Sequence, residues 1–190
     1  MSDVTKVMRA AEFAARKHTH QRRKGEVGEP YLNHLIEVAS LVAEAAEGQP
    51  DAVVAALLHD TVEDQGVSFD ELVTLFGDKV ASLVAEVTDD KSLPKRERKD
   101  RQVAHAPLLS PGACMIKLAD KTSNLRSVAL SPPPWPPARK LQYVNWAQAV
   151  VAGLPCKPGS LFAKFEGAVR LALASIDNEE ARPGRVNCRD

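Results

Sequence analysis

The sequence has little that would staple it together, insert it into a membrane or draw it to a long polyanion. Its three cysteines, Cys114, Cys156 and Cys188, are widely spaced and form no CxxC pair. Neither a disulfide framework nor a thiolate zinc site is indicated, and free thiols in a reducing cytoplasm are expected. The longest apolar run, Ala52 to Leu58, falls far short of a membrane span. Met1 is followed by Ser2, Asp3 and an alternating polar pattern, so no secretory signal is read. Charge of one sign is also missing, since Lys plus Arg and Asp plus Glu both number 25. Proteins that bind long nucleic acid usually carry a basic excess, because phosphate neutralisation supplies much of the affinity. Any basic surface here must be local, which suits a small phosphorylated ligand and argues against nucleic-acid and membrane partners.

Strand signals are absent too. No hairpin dipeptide separates two β-branched runs, and apolar residues follow the helical period almost everywhere. Val4, Val7, Met8, Ala11, Ala14 and Ala15 set out a first helix to His18. Gln21 to Glu29 breaks it with a basic cluster and two glycines, and Pro30 suits the first turn of a second helix ending near Glu47. Pro50 opens a third, carrying Val53, Leu57, Leu58 and Val62. Ser68 and Glu71 form a capping-box pair before a short fourth, and Gly77 separates it from a fifth, Asp78 to Val87. Thr88 to Arg101 is dominated by charge and reads as a loop followed by a solvated helix. Further helices are expected from Pro111 through Val128, over Ala138 to Val151 and over Ser160 to Ile176. Five prolines around Trp135, between Ser131 and Pro137, exclude regular helix there. The reading is all-α: one compact domain of about eight or nine helices over residues 1–176, with a polar tail, 177–190, expected to be disordered.

Several segments put metal-competent side chains inside apolar helices, where charge is costly unless paired or ligated. They are His34 among Leu35 and Ile36, His59 and Asp60 after the apolar run, and Asp120 in Met115 to Asp120. Any one alone reads as an ordinary core or surface residue. Together, two imidazoles and two carboxylates make a mixed nitrogen and oxygen set suited to Mn²⁺, Fe²⁺ or Zn²⁺, with Mn²⁺ the first choice, and ill suited to Ca²⁺. On a continuous helix, Glu63 would lie one turn beyond His59, and Asp64 one turn beyond Asp60. That spacing offers two accessory acids as proton handlers or orienters. Asn124 shares a face with Asp120. Arg22, Arg23 and Lys24 lead into Tyr31 and His34 as a candidate phosphate clamp. Lys91, Lys95, Arg96 and Arg98 form a second basic cluster, read mainly as a solvated face. Tyr31 or Tyr143 offers a ring for a base, whereas Trp146 reads as core.

The segments Ala10 to His18, Pro30 to His34, Leu57 to Asp64 and Lys117 to Lys121 closely resemble the hydrolase domain of RelA/SpoT homologues, most of all the small stand-alone alarmone hydrolases of the HD superfamily. The combination of His59-Asp60-Thr61-Val62-Glu63-Asp64 with Val87 to Lys91 is far more specific than an HD pair alone. The resemblance covers about residues 5 to 175. It implies a compact HD-domain helical bundle and a Mn²⁺-dependent 3′-pyrophosphohydrolase acting on (p)ppGpp. It assigns metal ligation to His34, His59, Asp60 and Asp120, and the attacking water to Glu63 and Asp64. Substrate contacts fall to Arg23, Lys24, Tyr31, Lys95, Asn124 and Tyr143. Ser123 stands where the small hydrolases often carry an aromatic residue, in a region expected near the nucleotide pocket, as is Pro132 to Pro137. Alternative readings keep the site but give it (p)ppApp or the 2′-phosphate of NADPH, or make the chain a silent alarmone-binding module.

Overall fold

The computed structural model describes residues 2–181. Ten α-helices follow one another: α1 (Asp3–Lys17), α2 (Tyr31–Ala45), α3 (Pro50–Leu58), α4 (Thr61–Gln65), α5 (Phe69–Phe76), α6 (Asp78–Val87), α7 (Lys95–His105), α8 (Pro111–Leu130), α9 (Pro137–Gly153) and α10 (Gly159–Glu180). A single 3-10 turn, Ala106–Leu108, joins α7 to the segment before α8. Among the described residues there is no strand, only one isolated bridge between Arg22 and Pro30. That bridge closes the basic loop after α1 on itself.

The bundle is organised around α8. It packs against α2, α3, α6, α9 and α10, and its buried residues, Ile116, Leu118, Leu125 and Val128 among them, fall on every side. A helix buried on so many sides must sit in the middle of a fold. Each fully buried Leu or Ile there contributes roughly 1.5–3 kcal/mol by leaving water. Asp120 rides on this central helix, so its carboxylate is held by the best-packed element of the molecule.

The count exceeds the expected eight or nine because the third predicted helix is cut in two. α3 ends at Leu58, His59 and Asp60 connect, and α4 begins at Thr61. The Thr61 hydroxyl donates to the Leu58 carbonyl at 2.7 Å and stabilises the break. Asp60 has φ −103° and ψ 0°, a sparsely populated region where active-site residues often sit. α4 then stops at Gly66, whose φ of 66° suits only a residue without a side chain. The expected Ser68 cap is present, its hydroxyl accepting from the Glu71 N–H at 3.1 Å.

α10 runs through Glu180 rather than ending at Ile176. Its extra turn is anchored where Glu179 accepts two hydrogen bonds, 2.6 and 2.7 Å, from the buried Lys140 ammonium of α9. The expected tail from residue 182 onward, and Cys188, lie outside the described residues; Cys114 and Cys156 are free thiols.

Candidate active site

Three parts of the chain bring the predicted ligands together: α2 supplies His34, the α3–α4 break His59 and Asp60, and α8 Asp120. His34 and His59 are buried, with Asp60 and Asp120 at a cavity floor. One ligand atom from each of His34, His59 and Asp120 lies within 4.8 Å of the others. Asp120 Oδ1 is 3.3 Å from His34 Nε2 and 3.9 Å from His59 Nε2. Asp60 Oδ2 completes the group, 3.1 Å from His59 Nε2 and 3.8 Å from His34 Nε2. Both Nε2 atoms are buried without a hydrogen-bond partner. Orphaned buried polar atoms are rare in folded proteins, and two facing two carboxylates fit a divalent metal.

The outer contacts aim these ligands. His59 Nδ1 lies 2.8 Å from the Ala56 carbonyl, which only accepts, so Nδ1 carries its proton and Nε2 faces the centre. Tyr31 donates its hydroxyl proton to Asp60 Oδ2 at 2.6 Å, and its ring stacks on buried His18 at 5.3 Å. Asn124 Nδ2 donates to Asp120 Oδ1 at 2.6 Å, as their shared helical face requires. The Lys121 ammonium donates to Asp120 Oδ2 at 3.0 Å.

The charges respond to burial and to each other. Burial lowers the affinity of His59 for a proton, but Asp60 and Asp120 more than reverse this and raise its pKa to about 9. Burial pushes the Asp60 carboxyl up, and the His59 and His34 rings overcome it and hold it well below the usual range. In Glu63, burial and the carboxylates of Asp89 and Asp60 act in the same direction, raising it to about 7.

Above the ligands opens a cavity of about 690 Å³. Of the predicted residues, Lys24, Tyr31, Glu63, Lys95, Asn124 and Tyr143 line it. Arg23 and Asp64 do not; they line an adjoining cavity of about 320 Å³. Glu63 and Asp64, expected as a pair, thus diverge. Glu63 Oε2 accepts from the Asp89 backbone N–H at 3.2 Å, and Arg98 lies 3.5 Å from its other oxygen. Asp64 keeps its backbone bond to Asp60 at 2.8 Å but accepts from Gln21 at 2.7 Å and from Lys91. Successive residues on a helix point in different directions, so Glu63 and Asp64 on α4 meet different partners.

Three residues or faces lie elsewhere than expected. Trp146 is a wall of the cavity rather than core, with the Lys99 and Lys121 ammoniums 4.5 and 4.3 Å from its ring. Ser123 is fully buried and absent from the cavity lining; its hydroxyl turns toward His34 instead. The predicted solvated face of α7 carries Lys95, Arg96, Arg98 and Lys99 onto the cavity. Lys117, Lys121, Trp135 and Arg139 line it too, unforeseen. Lys117 and Lys121 flank Asp120 in sequence, a signal that a buried lysine on a core helix could have raised.

A helical bundle holding a histidine–aspartate metal centre of this form defines the HD class, and the HD domain family model matches residues 10–147: the chain belongs to this family. It is 52% identical over 156 residues to the guanosine-3′,5′-bis(diphosphate) 3′-pyrophosphohydrolase MESH1 of Homo sapiens, covering 80% of this chain and 87% of that protein. To the MESH1 enzyme of Drosophila melanogaster it is 44% identical over 167 residues, covering 87% of this chain and 93% of that one. A solved structure described as a metazoan orthologue of SpoT that hydrolyses ppGpp superposes with a TM-score of 0.83 at 44% identity, covering 87% of this chain and 94% of the other.

Proposed function

We propose that this chain is a guanosine-3′,5′-bis(diphosphate) 3′-pyrophosphohydrolase that uses a divalent ion, Mn²⁺ first among them, held by His34, His59, Asp60 and Asp120. The observation that carries this reading is the pair of buried, partnerless Nε2 atoms facing two carboxylates beneath a basic cavity. The relatives named above, similar over most of their length, support the substrate. The mixed set of two imidazoles and two carboxylates suits Mn²⁺, the first choice among the divalent ions.

When bound, such an ion polarises a phosphoryl oxygen and lowers the pKa of a water. The chain's own groups do the rest. Glu63 stands beside Asp60 with a pKa raised to about 7, the value a general base working at neutral pH needs. It takes the proton of the water that attacks phosphorus, while the bond from the ribose 3′ oxygen to that phosphorus breaks and the 3′ oxygen leaves as a hydroxyl, protonated from solvent. Asp64, tied to Gln21 and Lys91, orients the basic loop rather than carrying the proton. Lys24, Lys95, Lys99 and Arg139 face the cavity and neutralise charge on the pyrophosphoryl group as it passes from the ribose 3′ oxygen to water. Tyr143 and Trp146 line the same cavity and supply aromatic surface for the nucleoside. Products are GDP or GTP and pyrophosphate.

The test is anion-exchange chromatography after incubating the protein with pppGpp and Mn²⁺. GTP and pyrophosphate in equal amounts support the reading. No turnover in metal-replete protein, or release of orthophosphate alone, overturns it.

A further inference from the structure

Ser123 Oγ stands at a junction of three groups. It lies 2.9 Å from His34 Nδ1, 2.6 Å from Glu37 Oε2 and 3.3 Å from Arg23 Nη1. The hydrogen-bond valence of a hydroxyl is one donor and two acceptor lone pairs. Glu37 is a carboxylate that accepts from Arg126 at 2.9 Å on its other oxygen, so the serine must spend its single proton on Glu37. Arg23 can only donate. The remaining lone pair therefore accepts from His34, and His34 must carry its proton on Nδ1. Its Nε2 lone pair is then fixed toward Asp120 and Asp60.

We propose that Glu37 and Ser123 form a relay that locks the tautomer and aim of His34, and that Arg23 ties the basic loop to the same relay. A carboxylate behind a histidine ligand commonly plays this part directly; here a serine on α8 is interposed between α2 residues one helical turn apart. Arg23 strengthens the link by donating also to the Ser123 carbonyl at 3.3 Å. The loop that lines the adjoining cavity and the metal centre thus share one buried oxygen. Ser123 is a positioning residue. It does not line the cavity above the metal ligands. This inference rests on the metal site proposed above.

The test measures Mn²⁺ binding to metal-free protein by calorimetry for wild type, Ser123→Ala, Glu37→Ala, the double variant and His59→Ala. Two-bond ¹H–¹⁵N correlation spectra of the metal-free protein report the His34 tautomer. Ser123→Ala is expected to weaken Mn²⁺ binding by about 10- to 100-fold and to lose the uniform Nδ1–H signature. Glu37→Ala weakens binding less, and the double variant matches Ser123→Ala alone, because both act through one hydroxyl. Glu37 is part-exposed, so Glu37→Ala carries the test if Ser123→Ala does not fold. Binding within twofold of wild type in Ser123→Ala, additive effects in the double variant, or an unchanged tautomer signature would overturn the relay. His59→Ala separates the two readings. If it abolishes binding while Ser123→Ala binds within twofold of wild type, only the relay fails; if His59→Ala too binds normally, the metal site itself is wrong.

Discussion

The Asp89 backbone N–H donates to Glu63 Oε2 across 3.2 Å, while the Asp89 carboxylate accepts from Gln102 Nε2 at 2.5 Å. One residue at the end of α6 therefore orients Glu63 with its amide and raises its pKa with its charge, because the two carboxylates repel. The motif Val87 to Lys91 thereby holds Glu63, the proposed base, beside the proposed metal ligands.

Glu63→Gln keeps the Asp89 contact and removes the base. The turnover number is expected to fall by about 10²–10⁴-fold, with Mn²⁺ affinity little changed. In the wild type, activity rises with pH through about 7, because Glu63 must be deprotonated to act, and this inflection disappears in the variant. Stability moves the opposite way. A carboxyl whose folded pKa lies above its unfolded value of 4.5 favours the fold below that value and loses the contribution as pH rises through about 7. Glu63→Gln should therefore melt higher than wild type at pH 8, by a margin that shrinks at pH 5. A pH–rate profile and thermal melts at both pH values check this.

Metal binding is expected to release a proton. With His59 raised to about 9 by its two aspartates, the metal-free ring is protonated at neutral pH and Nε2 is blocked. Affinity for Mn²⁺ should therefore climb with pH up to about 9. Calorimetry at pH 7.5 in two buffers of different ionisation enthalpy measures the protons released, and a value of zero contradicts the arrangement.

Gly25 touches the chain where α8 ends. A β-carbon there would collide with both the hydroxyl and the backbone carbonyl oxygen of Ser131. Gly25→Ala must push the basic loop, with Arg23 and Lys24, away from the cavity. The expected result is a KM for substrate raised by about tenfold, the worth of one charge-assisted contact at 1–2 kcal/mol. The turnover number should change less. Steady-state kinetics separate the two parameters.

Glu179→Ala should destabilise the protein more than Lys140→Met. The first leaves a buried ammonium without its carboxylate, at a cost of about 2 kcal/mol. The second keeps the aliphatic stem packed and removes the charge. Urea denaturation of the two variants checks the order.

The helices were legible because apolar spacing, proline and caps are local signals: Ser68, Pro111 and Gly77 each act within a few residues. The break between α3 and α4 was not, since Val62 continues the apolar period and the interruption depends on the Thr61 and His59 bonds to α3 carbonyls. The turn of α10 beyond Ile176 was missed because its polar residues gain their stability from Lys140, 39 positions away in the chain. Likewise α7 has no buried residue and reads as a solvated helix. Its basic side chains acquire meaning only when α9 packs beside it and closes the cavity wall.

Residue types and their spacing sufficed for an all-helical chain with two imidazoles and two aspartates planted where unpaired charge would be costly. Only tertiary packing could decide that Glu63 and Asp64 face different cavities, that Trp146 is a wall and that Ser123 serves His34. Those outcomes depend on contacts between residues dozens of positions apart, and periodicity along a helix carries no information about what its neighbours bring.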